Sequence, residues 1–101
     1  MKSLSTGDKS GTDVPRSRTQ KRLALLWSQV FNVHDIGIHD NFLDSGGDSL
    51  SATLMLSRIA TEFHVELPFD IFFAGDGTLR EIAEIIDKAR RQQSRKKGLR
   101  P

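Results

Sequence analysis

The chain has 101 residues, no cysteine and a formal net charge of +2, which allows one small domain and excludes a disulfide frame or a thiolate metal site. No apolar run approaches the length of about 18 residues that a membrane span needs. The N-terminal MKSLSTGDKSGTDVP also lacks the hydrophobic centre of a signal peptide, so a soluble cytoplasmic protein is the expectation.

The charge is unevenly placed. Residues 17–87 hold five basic and eleven acidic side chains, net −6, whereas residues 88–101 hold seven basic and no acidic ones, net +7. The high pI therefore comes from a short terminal segment on an acidic body, and it is a weak pointer to nucleic acid.

Residues 1–16, rich in Ser, Thr, Gly, Lys and Asp without periodicity, read as a flexible leader. Leu23, Leu26, Trp27 and Val30 then fall at i, i+3, i+4 and i+7 behind a Ser17/Gln20 capping box, which predicts a helix over 18–32. VHDIGIHDNFLDSGGD follows as a long loop with room for a short helical turn. A loop of that length in a small domain is more often functional than idle.

Ala52, Met55, Leu56, Ile59, Ala60 and Phe63 make one continuous helical face, so the second helix is expected over 49–63. Val65 and Pro68 end it, and FDIFF supplies about one further turn before AGDG breaks the chain. Thr78 and Glu81 form another capping box ahead of Leu79, Ile82, Ala83 and Ile86, which predicts a last helix over 79–90. Nothing alternates with period two. The fold class is all-α, a small four-helix bundle of three longer helices and one short one, with a long first loop. The expected organisation is a leader at 1–16, a domain at 17–90, and a basic flexible tail at 91–101.

The stretch DNFLDSGGDSLSATLMLSRI, residues 40–59, carries the chemistry. Its simplest reading is a Gly-Gly turn with Asp48 or Ser49 capping the next helix. The same arrangement also presents a serine hydroxyl to solvent beside unpaired N–H groups at a helix start, where a phosphate is stabilised. A hydrolase nucleophile fits poorly, because Leu50-Ser51 follows Ser49 where a nucleophile elbow needs a glycine two residues on. No Gly-Lys-Ser/Thr element marks a nucleotide loop. His34, His39 and His64 share no helical face, and each reads as an exposed loop or cap residue and not a metal ligand.

With IGIHDNFLDSGGDSL, the helix ending in Phe63 and VELPFDIFF taken together, the chain resembles the carrier-protein domains of nonribosomal peptide synthesis from its first helix to Ile86. The resemblance implies that Ser49 receives 4′-phosphopantetheine from coenzyme A, with Gly47, Asp48 and Leu50 flanking the attachment site. Asp40 and Phe42 match the family's Asp-x-Phe pair, and Gly46 and Gly47 its glycines. It further implies that the cofactor thiol holds aminoacyl or peptidyl groups as thioesters, and that the chain itself needs no catalytic residue and no metal. The partners implied are a phosphopantetheinyl transferase, an adenylation enzyme, and condensation, thioesterase or tailoring enzymes, with the chain itself a monomer.

If the apolar face of the second helix points inward, Leu50, Thr53, Leu54 and Ser57 lie outward beside Ser49, as a small docking patch or as a cover for the loop. Fatty-acid carriers of this type tend to place acids along that helix; here the first acid after Asp48 is Glu62, which favours a peptidyl carrier over a fatty-acid or polyketide one. Three positions depart from the family pattern: Ser45 for a leucine, His64 for a glycine and Gly77 for a proline. A leader from Met1 and a basic end at Pro101 suggest a free-standing carrier, with a domain excised from a synthetase as the alternative. The rival from another class is a nucleic-acid-binding helical module using Arg90, Arg91, Arg95, Lys96, Lys97 and Arg100; against it, the helix after GGDS holds one basic residue, Arg58. No membrane partner is expected.

Overall fold

The computed structural model describes residues 14–99, with side chains described through residue 93. Residues 1–13 of the expected leader and residues 100–101 of the expected tail lie outside the described residues. Among the described residues the regular structure is three α-helices and one 3-10 turn: α1 (Arg18–Phe31), α2 (Ser49–Phe63), the 3-10 turn (Phe69–Phe72) and α3 (Leu79–Leu99). The domain is all-helical, but the fourth helix of the expected bundle is this single four-residue turn. Pro68 opens it and Ala74 and Gly75 follow it, leaving space for one tight turn closed by Phe73 N–H to the Asp70 carbonyl.

Local chemistry sets the ends of α1. Ser17 Oγ accepts from Gln20 N–H (3.0 Å), and Gln20 Oε1 accepts from Ser17 N–H (3.3 Å), so the box satisfies donors that the first turn leaves unpaired. The helix stops one residue short of the expected end, because Asn32 turns left-handed at φ 56°. Asparagine tolerates that conformation better than most residues. α2 starts and ends where its apolar period does, with His64 at φ 59° as its left-handed C-cap. The stop therefore comes at His64, ahead of the Val65 and Pro68 that were expected to cause it.

α3 runs to Leu99, past the Arg90 expected from apolar spacing. Ala89 is the last of its residues packed on the core. Beyond it come Arg90, Arg91, Gln92 and Gln93, good helix formers that continue the helix without apolar packing. Apolar spacing marked the packed part of the helix and not its end.

One core joins the elements. Leu23 and Trp27 of α1, Ala52, Met55 and Ile59 of α2, and Leu79, Ile82 and Ile86 of α3 are all 0% exposed. The loop between α1 and α2 adds Ile36, Ile38 and Phe42 to that core. It is anchored across the domain: Phe42 N–H donates to the Gly77 carbonyl (2.8 Å), Leu79 N–H to Asp40 (3.0 Å) and Arg80 N–H to Ile38 (2.9 Å). An isolated antiparallel bridge, Asn41 with Thr78, marks the crossing. A buried loop needs such partners for its backbone, and here they fix the segment leading to Ser49 against the start of α3.

The candidate attachment site

Ser49 is the first residue of α2 and is exposed. The cap of that helix is Asp48. Its Oδ1 accepts from Ser51 N–H (2.9 Å), and Ser51 Oγ accepts in return from Asp48 N–H (2.8 Å). The Asp48 carboxyl is held below the usual carboxylate range, first by the Ser51 backbone bond, then by the Ser51 hydroxyl, with a smaller share from Leu50 N–H. Of the N–H groups expected to be unpaired beside Ser49, that of Ser51 is engaged by the Asp48 carboxylate. The capping pair leaves the Ser49 hydroxyl outside the cap, facing solvent.

Four devices shape the turn before it. Ser45 N–H donates to the Asn41 carbonyl (3.0 Å) and Gly46 N–H to Leu43 (3.0 Å), which makes the short helical turn expected within the loop. Gly46 sits at φ +105°, a conformation that side chains with a Cβ rarely adopt. Gly47 N–H donates to the Phe42 carbonyl (2.9 Å), bringing its backbone onto the Phe42 ring. Finally, Trp27 Nε1–H donates to Ser45 Oγ (3.0 Å), tying the turn to α1.

Phe42, 0% exposed, stacks on Phe72 with centroids 4.3 Å apart and meets Trp27 and Phe31 edge-on. The Asp-x-Phe pair is thus structural. Asp40 Oδ2 accepts from Gly37 N–H (3.1 Å), and Phe42 anchors the loop in the core.

The expected outward residues of α2 do face solvent: Leu50 is 78% and Leu54 42% exposed, and Thr53 and Ser57 are exposed. Leu50 does not cover the loop. Sequence reading missed Leu43, Phe69 and Phe73, which are also exposed apolar side chains. It missed Asn41 as well, whose Oδ1 accepts from Leu43 and Asp44 N–H while its amide donates to the Asp76 carbonyl. Asparagine in an Asp-Asn-Phe run was the available signal, since its side chain closes local turns.

His34, His39 and His64 are exposed, and no cluster of metal-ligating side chains occurs among the described residues. No helix among them is long and apolar enough to cross a membrane. Arg90 and Arg91 are exposed on α3, and the backbone at Arg95, Lys96 and Lys97 continues that helix.

Ser49 thus stands exposed at the first position of α2, behind a loop that Phe42 holds in the core and that backbone bonds hold to the start of α3. The phosphopantetheine attachment site family matches residues 21–86. One of the plipastatin synthase subunits of Bacillus subtilis is 46% identical over 72 residues, 71% of this chain. Gramicidin S synthase 2 of Brevibacillus brevis is 35% identical over 79 residues, 78% of this chain. The chain spans only 3% and 2% of those two proteins' lengths.

Among solved structures, the complex of the phosphopantetheine transferase Sfp with coenzyme A and a peptidyl carrier protein matches with TM-score 0.71 and 33% identity, over 75% of this chain and 97% of that one. A solution structure of a peptidyl carrier domain prototype from modular peptide synthetases matches with TM-score 0.64 and 35% identity, over 73% and 96%. The chain belongs to the phosphopantetheine attachment site family, among its peptidyl carrier proteins.

Proposed function

We propose that Ser49 is the residue that carries 4′-phosphopantetheine, and that the domain presents aminoacyl and peptidyl groups to successive enzymes of nonribosomal peptide synthesis. The observation that carries this reading is the division of labour at the start of α2: Asp48 and Ser51 cap the helix, and the Ser49 hydroxyl stays exposed and uncommitted. The residues fit the group, because a primary hydroxyl makes a stable phosphodiester and no wall of side chains has to open around it. The exposed setting lets water screen the phosphodiester charge from Asp48.

In the transfer from coenzyme A, Ser49 Oγ gains the bond to the pantetheine-side phosphorus as the pyrophosphate P–O bond breaks, adenosine 3′,5′-bisphosphate leaves, and the hydroxyl proton passes to a base of the transferase. When bound, the cofactor supplies a thiol on a flexible arm, where acyl groups are held as thioesters. The chain contributes position. Ser49 is presented on a rigid helix end, and tethering raises the effective concentration of the carried group at each partner's site. Reaction chemistry then belongs to the partners: a phosphopantetheinyl transferase, an adenylation enzyme, and condensation, thioesterase or tailoring enzymes. Leu50, Thr53, Leu54 and Ser57 flank Ser49 on the face those partners approach. The lack of acids there supports a peptidyl cargo, since Glu62, the first acid on α2 past its cap, is paired with Arg22 at 3.0 Å. The cytoplasm, where coenzyme A is available, is the setting this role fits.

Intact mass after incubation of the apo protein with coenzyme A, magnesium and a broad-specificity transferase tests this reading. A gain of one phosphopantetheine in the wild type and none in Ser49→Ala is expected. Equal gains in both would move the site elsewhere.

A further inference from the structure

We propose that Ser45 is a positioning residue for the modification of Ser49, holding the glycine turn in a transferable geometry by accepting the buried indole N–H of Trp27. The inference rests on Ser49 being the attachment site. Trp27 is 0% exposed, and its ring is packed edge-on against Phe42 at 5.9 Å. An indole N–H buried this way needs an acceptor, because an unpaired one keeps its full desolvation penalty. Ser45 Oγ supplies it at 3.0 Å, and its own O–H donates to the Asn41 carbonyl, also at 3.0 Å.

The result is a relay, Trp27 to Ser45 to Asn41, and Asn41 is itself bonded to the Asp76 carbonyl before α3. Ser45 therefore ties the turn to α1, while the Asn41 side chain, one turn earlier, ties it to the segment before α3. Gly46 and Gly47 follow directly, and neither has a side chain with which to hold itself in place. Gly46 in particular has nothing within 4 Å of where a Cβ would stand. Beside the backbone bonds from Gly46 to Leu43 and from Gly47 to Phe42, the side-chain tie between this turn and α1 thus rests on the residue just before the glycines. Removing the hydroxyl leaves the indole unpaired and lets the turn sample other arrangements. A transferase then meets a smaller competent fraction, which raises the apparent KM for the carrier while the turnover of bound carrier is kept.

The test compares apo wild type, Ser45→Ala and Ser45→Thr as substrates of a transferase with coenzyme A, reading initial rates by intact mass and the Trp27 indole N–H by NMR. The expected result is a KM raised about fivefold in Ser45→Ala with kcat within twofold, a shifted indole resonance, and recovery of both in Ser45→Thr. Trp27→Phe removes the donor and leaves the Ser45 hydroxyl in place; its KM should rise similarly while circular dichroism stays helical, which keeps the test open if Ser45→Ala unfolds. An unchanged KM in Ser45→Ala with a displaced indole resonance would overturn the proposal, and so would a threonine variant that behaves like alanine. If the wild type is not modified at all, the assignment of Ser49 falls first and takes the proposal with it.

Discussion

Gly47 presses its backbone onto the ring of Phe42: a Cβ at Gly47 would stand 2.3 Å from two ring carbons and 2.6 Å from the Phe42 carbonyl oxygen. The ring cannot step aside cheaply, because it is stacked on Phe72 in the closed core. Gly47→Ala is therefore expected to destabilise the domain by about 1–3 kcal/mol through overpacking. Urea unfolding followed by the Trp27 fluorescence would measure it.

Gly46 is needed for a different reason. Its φ of +105° is the constraint, since open space surrounds the missing Cβ. Gly46→Ala should cost about 1–3 kcal/mol in backbone strain. A D-alanine at position 46, introduced by semisynthesis, should recover that loss where L-alanine does not, since the mirror-image residue favours positive φ. The pair of substitutions separates conformation from space.

The Asp48 cap makes the start of α2 sensitive to acid. Its folded-state pKa lies below the ordinary value of 3.8, chiefly through the Ser51 N–H. A depressed carboxyl stabilises the fold above the unfolded pKa, and that contribution is lost as pH falls through the folded one. Amide exchange at Ser51 should quicken on acidification below the ordinary carboxylate range, beyond the intrinsic pH effect. In Asp48→Asn, which caps without titrating, that extra dependence should disappear.

His64 ends α2 in a left-handed conformation, φ 59°, with its side chain exposed. Glycine adopts that conformation without the Cβ penalty, against a larger loss of chain entropy. His64→Gly should thus stabilise the protein by about 0.5–1 kcal/mol. Thermal unfolding would show a raised midpoint, and modification of Ser49, at the other end of the helix, should be unchanged.

The helices were legible because their signals are local. Leu23, Leu26 and Trp27 in one stripe, the Ser17/Gln20 box and the Ala52-to-Phe63 face each state their element within a few residues. The capping of α3 was half legible: Thr78 Oγ1 accepts from Glu81 N–H (3.2 Å), but the Glu81 carboxylate reaches past the cap to Gly77 N–H (2.9 Å). What the residues could not show is non-local. The Asn41 and Thr78 bridge joins segments far apart in the chain, and the fit of Phe42 over Gly47 depends on where Phe72 lies. Ser45 looked like a departure from the family pattern, and only the buried Trp27 indole explains its hydroxyl. At the site itself, GGDS read locally as a turn and a cap, and that is structurally what Gly46, Gly47 and Asp48 are. The resemblance, and not the spacing, singled out Ser49.

Localising the modification within the tryptic peptide Leu23–Arg58 tests the central claim most directly. That peptide also contains Ser28, Ser45, Ser51, Thr53 and Ser57, each a competing hydroxyl. After transfer from coenzyme A, fragmentation should place the whole phosphopantetheine mass on Ser49. Fragments that put it on Ser45, Ser51 or another of these hydroxyls would contradict the account.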